Sequence, residues 1–102
     1  MHPLNITKDE DKLAYAQTSK DIRITNYLAK DPDWYVRYYV TQNPSTSVKT
    51  LDRLAKDPDP DVRYWVARNP LISIESLDLL AKDPDSYVSS EAKQALTARI
   101  KG

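Results

Sequence analysis

The hexapeptide Leu-Ala-Lys-Asp-Pro-Asp begins at residues 28, 54 and 80, so it recurs twice at an interval of 26 residues. The likeness runs past the hexapeptide: LAKDPDWYVRYYVTQNPSTSVKT at 28–50 aligns without a gap to LAKDPDPDVRYWVARNPLISIES at 54–76. A fixed period of about 20–50 residues marks an architecture of stacked supersecondary units, each burying its apolar face against its neighbours. This one feature excludes most folds open to a chain of 102 residues.

Each unit reads as two short helices. Asp31, Asp57 and Asp83 stand where an N-cap belongs, with Pro32, Pro58 and Pro84 at the first helical position. Asp33, Asp59 and Asp85 then fall in the first turn, where the helix dipole favours negative charge. Behind this start, Val36, Tyr39 and Val40 are spaced i, i+3, i+4, as are Val62, Trp65 and Val66, which predicts one buried stripe on a helix of about three turns. Asn43-Pro44 and Asn69-Pro70 predict where these helices stop, because the residue before proline is pushed out of the helical region. The second helix of each unit carries Val48, Leu51, Leu54 and Ala55, then Ile74, Leu77, Leu80 and Ala81, with Thr46 or Ser47, and Ser73, as caps. These segments are short enough for a 3₁₀ turn.

The ends depart from the pattern, as the ends of a solenoid should. Thr7-Lys8-Asp9-Glu10 has the form of a capping box. Shifted by one period, Leu13 and Ala14 fall on Tyr39 and Val40, so residues 8–17 read as a half-unit without its proline punctuation. At the other end Val88 keeps the pattern, while Ser89, Ser90 and Glu91 replace Arg63, Tyr64 and Trp65. Ala95-Leu96 replaces Asn69-Pro70, which lets the last helix run to about Ile100. The expected organisation is one all-α solenoid domain over 1–102. It has an N-terminal cap and degenerate half-repeat at 1–27, repeats at 28–53 and 54–79, and a capping repeat at 80–102. The chain reads as complete.

The pattern L-A-K-D-P-D-x-x-V-R-x-x-V-x-x-N-P resembles the leucine-rich repeat variant, a helical repeat of bacterial proteins, and is similar to HEAT-like repeats, which share D-P-x-x-x-V-R. The resemblance is full over 28–76, partial over 80–95 and faint before 28. It implies a right-handed superhelix of short α and 3₁₀ helices, and protein interaction as the role. Iron–sulfur binding, known in that family, would need cysteines, and this chain has none.

Composition narrows the chemistry. Without cysteine there is no disulfide, thiolate metal site or cysteine nucleophile. The single histidine is His2 and the single glycine is Gly102, so neither a His-based triad or metal site nor a Gly-rich phosphate loop can be built. No catalytic, cofactor-binding or metal residue is expected, and no cofactor. Asp57-Pro58-Asp59-Pro60-Asp61 superficially resembles a calcium loop, but the central glycine and the distant bidentate glutamate are missing. Fifteen Lys+Arg balance fifteen Asp+Glu. Nonspecific binding to nucleic acid or an acidic membrane is not favoured by that balance. No stretch approaches the roughly 20 apolar residues of a membrane span, and no secretory signal is visible, so a cytoplasmic location is expected.

Two groups remain as an interaction surface. Arg37 and Arg63 follow the core valines, either as a guanidinium ladder for an acidic partner or, the favoured reading, as structural partners of the Asp-Pro-Asp turns. Trp34 and Tyr38 are spaced i, i+4 and point away from Val36, and Tyr64 is the equivalent of Tyr38. Trp34, Arg37, Tyr38, Arg63 and Tyr64 thus have the composition of a binding hot spot for a protein or peptide, or for a second copy of the chain. The competing reading packs the same rings inside the solenoid. The alternative partner is nucleic acid, tracked by the periodic Lys30, Lys56 and Lys82. Lysine near a helix C-terminus has a simpler explanation in the helix dipole, and the adjacent aspartates cancel its field.

Overall fold

The computed structural model describes residues 8–101. They form seven α-helices and no strand: α1 (Asp9–Thr18), α2 (Ile22–Leu28), α3 (Trp34–Gln42), α4 (Val48–Leu54), α5 (Pro60–Arg68), α6 (Ile74–Leu80) and α7 (Ser86–Lys101). The sequence period is carried into the backbone. Helices α3, α5 and α7 begin at residues 34, 60 and 86, and α2, α4 and α6 begin at 22, 48 and 74. The second helices are α-helical, not 3₁₀.

Odd-numbered helices pack in succession, α1 on α3, α3 on α5 and α5 on α7. Each even-numbered helix lies against the odd helix before it and the odd helix after it. The molecule measures 47 × 25 × 16 Å. The core runs along this stack: Leu28, Val36 and Val40, then Leu51, Val62 and Val66, then Leu77, Leu80 and Val88, all fully or almost fully buried. Burying a leucine such as Leu51 contributes about 1.5–3 kcal/mol, so adjoining units hold one another by shared apolar surface.

The buried stripe differs from the one the spacing predicts. Thr41 and Ala67 are buried beside the valines of α3 and α5, whereas Tyr39 and Trp65 are only half-buried. The inward stripe is therefore i, i+4, i+5, and the i+3 slot lies at its rim. The inward slots beside the valines hold the smaller Thr41 and Ala67, which fit a close-packed interior, and the large Tyr39 and Trp65 rings sit at the rim. On the second helices, Leu51, Leu54, Leu77 and Leu80 are buried as expected, but Val48 and Ile74, at the first helical position, are each 43% exposed.

The caps also fall two residues later than expected. Asp33 and Asp59 stand at the N-cap positions of α3 and α5, and the helices begin after Pro32 and Pro58, with Pro60 alone occupying a first-turn position. The Asp33 side chain makes no cap hydrogen bond, whereas Asp59 accepts from the Asp61 N–H and Asp85 Oδ1 accepts from the N–H groups of Tyr87 and Val88 at 2.9 and 3.1 Å. The first aspartate of each motif closes a turn across the proline, accepting from Asp33, Asp59 and Asp85 N–H at 3.0, 2.9 and 2.9 Å. Ser47 and Ser73 cap α4 and α6 as expected, Asn43 and Asn69 end α3 and α5, and α7 runs on to Lys101.

At the N-terminal end, α1 and α2 lie within residues 9–28. Thr7 of the expected capping box lies outside the described residues, and the residue before α1 is Lys8, whose side chain makes no cap bond. Ala14 is exposed while Ala16 is fully buried. Helix α1 is therefore offset by one residue from the 26-residue period, so that Ala16 takes the place of Thr41.

Candidate interaction surface

Three sets of side chains tie each unit to the next. In the first, Arg37 donates from Nε and Nη2 to the two carboxylate oxygens of Asp57, at 2.7 and 3.1 Å, and from Nη1 to the Asp31 carbonyl at 2.7 Å. Arg63 repeats the arrangement on Asp83, at 2.8 and 3.1 Å, and on the Asp57 carbonyl at 2.7 Å. Each guanidinium thus holds the Asp-Pro-Asp turn of its own unit and that of the following one, in the two-pronged geometry that suits arginine and carboxylate. Lys12 takes the same role one unit earlier, 3.2 Å from Asp31.

The electrostatics follow the geometry. The hydrogen bond to Asp57 outweighs burial and raises the Arg37 guanidinium above its ordinary value, and Asp83 does the same for Arg63. Burial pushes the Asp83 carboxyl up. The Arg63 hydrogen bond, the Asp85 N–H and the Arg63 charge together outweigh it and hold Asp83 below the ordinary carboxylate value.

The second set uses residues that the sequence marks only as helix punctuation. Asn43, 2% exposed, donates from Nδ2 to the carbonyls of Ala16 and Ser19 at 3.0 and 2.8 Å, and accepts from Ser45 N–H at 2.8 Å. Asn69 donates to the Thr41 carbonyl at 3.0 Å and accepts from Leu71 N–H at 2.8 Å. The third unit has Ala95 instead, and Arg99 of α7 reaches back to the carbonyls of Ile72 and Pro70. The third set joins the second helices. Thr50 donates to Asn26, and the Ser73 and Ser76 hydroxyls donate to Asp52 Oδ1 at 2.9 and 2.8 Å. Asn26 and Asp52 are one period apart, a signal present in the sequence but masked by the change of residue type.

With both arginines engaged inside the fold, the outward groups among the expected surface residues are the rings. Trp34 is 43% exposed, and Tyr38 and Tyr64 are half-buried. They belong to a continuous aromatic run across α3 and α5. Trp34 meets Tyr38 at a centroid separation of 6.3 Å, Tyr38 meets Trp65 edge-on at 5.7 Å, and Trp65 meets Tyr64 edge-on at 5.5 Å. The Arg68 guanidinium carbon lies 4.9 Å from the centroid of the Trp65 ring. Trp65, assigned to the core by its spacing, is thus the centre of the outer aromatic run.

The three lysines are exposed in the turns after the second helices. Lys56 and Lys82 border a hollow that also holds Asp57 and Asp83, so their charge has acidic neighbours. Asp57 and Asp59, of the superficially calcium-like run, are engaged by Arg37 and by the Asp61 N–H. Among the described residues no helix is long and apolar enough to cross a membrane. Comparison with protein-family models, with curated proteins and with solved structures returned no match.

Proposed function

We propose that the chain is a right-handed solenoid of the leucine-rich repeat variant type and acts as a non-catalytic module that binds a protein or peptide through the outer face of its odd-numbered helices. The observation that carries this reading is the aromatic run Trp34–Tyr38–Trp65–Tyr64, which crosses two units with its first ring 43% exposed. Aromatic rings held by one another offer large contact area at small entropic cost, the make-up of interface hot spots. Arg37 and Arg63 fix the spacing of the helices that carry the rings, and their contribution is to position the surface.

The test is affinity capture from the source cells with the purified chain, wild type beside Trp34→Ala, each checked for helix content by circular dichroism. Partners retained by wild type and lost by the folded variant support the reading. An identical set of retained proteins overturns it. Sedimentation of the same two proteins identifies self-association: a wild-type dimer that becomes a monomer in the variant makes the partner a second copy.

A further inference from the structure

Between α5 and α7 the outer face is hollow rather than filled. A recess of about 230 Å³ is lined by Pro60, Asp61, Tyr64, Trp65, Asp85 and Tyr87. One period earlier, the positions of Pro60 and Asp61 are held by Trp34 and Tyr35. There the rings pack on each other, Trp34 on Tyr35 at 6.1 Å and on Tyr38 at 6.3 Å. Replacing two large rings by a proline and an aspartate opens the space and leaves the Tyr64 and Trp65 rings facing it, with Tyr87, 77% exposed, as the outer wall.

The lining is aromatic and acidic, with two carboxylates and no basic residue. Ring faces attract cations through their quadrupole, and neighbouring carboxylates add charge of the right sign. The chain already demonstrates the preference in Arg68, whose guanidinium also donates to the Tyr64 hydroxyl at 3.5 Å. Trp65 also borders the recess between α3 and α5, and there its own Arg68 guanidinium lies over the ring. We infer that the α5–α7 recess receives the cationic side chain, arginine or lysine, of a partner peptide. This rests on the outer face being an interaction surface and specifies the chemistry one pocket of it selects.

Trp34 and Trp65 are the two tryptophans of the chain, so a Trp34→Phe background leaves Trp65 as the sole reporter. The probes are a blocked Gly-Arg-Gly-Arg-Gly peptide and its counterpart with citrulline, a neutral analogue of nearly the same shape, in place of arginine. The arginine peptide should change Trp65 emission saturably and the citrulline peptide should bind several-fold more weakly. Tyr87→Ala and Asp61→Asn, both at exposed positions that leave the core intact, should each weaken binding about two- to fivefold. Equal binding of the two peptides, the absence of a saturable change, or unchanged affinity in Tyr87→Ala overturns the inference. Tighter binding of tetramethylammonium than of the arginine peptide would also overturn it, in favour of a small quaternary ammonium. If Trp34→Ala loses captured partners while the peptide leaves Trp65 silent, this inference fails alone. If capture survives Trp34→Ala while the peptide binds, the broader reading fails and the pocket stands.

Discussion

At the scale of single residues, the arginine between two Asp-Pro-Asp turns concentrates the most interaction in one side chain. Arg63 is only 15% exposed and Asp83 7%, so removing the cation strands a carboxylate largely shielded from water. Breaking such a pair costs more than the pair itself is worth, because the remaining charge keeps its desolvation penalty. Arg63→Met should destabilise the fold by about 2–3 kcal/mol in urea unfolding. Adding Asp83→Asn should cost less than the sum of the two single changes; additive losses would mean the two groups are not coupled. The same pair sets an acid limit. The folded Asp83 carboxyl titrates below its ordinary 3.8, so the unfolded chain binds more protons in that range. Its stabilisation is therefore complete above about pH 5 and is lost as pH falls through the folded value. Wild type should lose stability between pH 5 and 3 more steeply than Asp83→Asn, and equal slopes would remove Asp83 from the account. A comparable test falls on Asn43, which is buried and makes three hydrogen bonds. Asn43→Ala should cost about 2 kcal/mol by leaving main-chain groups without partners.

At the scale of the helix, punctuation was legible and the division of labour within it was not. The Asp-Pro-Asp and Asn-Pro motifs locate the boundaries of α3 and α5 within two residues. Local propensity does not say which aspartate caps. Proline at the first helical position is a sound expectation, yet here the cap follows the proline, and the first aspartate is left for the neighbouring unit's arginine. That choice depends on a contact across 20 residues of sequence, which no local rule contains. The same holds for Trp65: its spacing puts it in the stripe, but the closeness of adjacent helices favours Ala67 inside. The offset of α1 is not legible in the sequence, because Lys12 stands in for an arginine and Ala16 for a threonine, so residue identity gives no guide to register. Where a local rule suffices, it can be tested locally. Ser73→Ala removes the hydroxyl that accepts from Ser76 N–H and donates to Asp52. It should cost about 1 kcal/mol, or somewhat more, against the usual loss of a cap. A variant as stable as wild type in thermal unfolding would show that the hydroxyl adds nothing.

At the scale of the molecule, each linkage recurs at two successive junctions, the arginine pairs toward the C-terminal end and the asparagine and second-helix bonds toward the N-terminal end, and all meet where the unit at 28–53 joins the unit at 54–79. The Arg63–Asp83 and Arg37–Asp57 geometries agree to 0.1 Å in both carboxylate contacts. In the proposed solenoid, stability is a sum of unit and nearest-neighbour terms. A second copy of residues 54–79 inserted after residue 79 would place an arginine before, and a Leu-Ala-Lys-Asp-Pro-Asp motif after, each junction it creates. It would keep α7, with its serines and the Arg99 reach-back, as the terminal helix. The longer chain should fold with a higher urea midpoint than the original and with an increased radius of gyration in X-ray scattering, now 13.8 Å by Cα positions. The inserted helix pair should lie between α5 and α7, which pack as neighbours in the existing fold. An insert that folds but leaves the midpoint unchanged would mean the junctions do not add. One that loops out as a protease-sensitive segment would mean that the fit of α7 on α5 is specific to those two helices, and that the period in the sequence overstates the equivalence of the units.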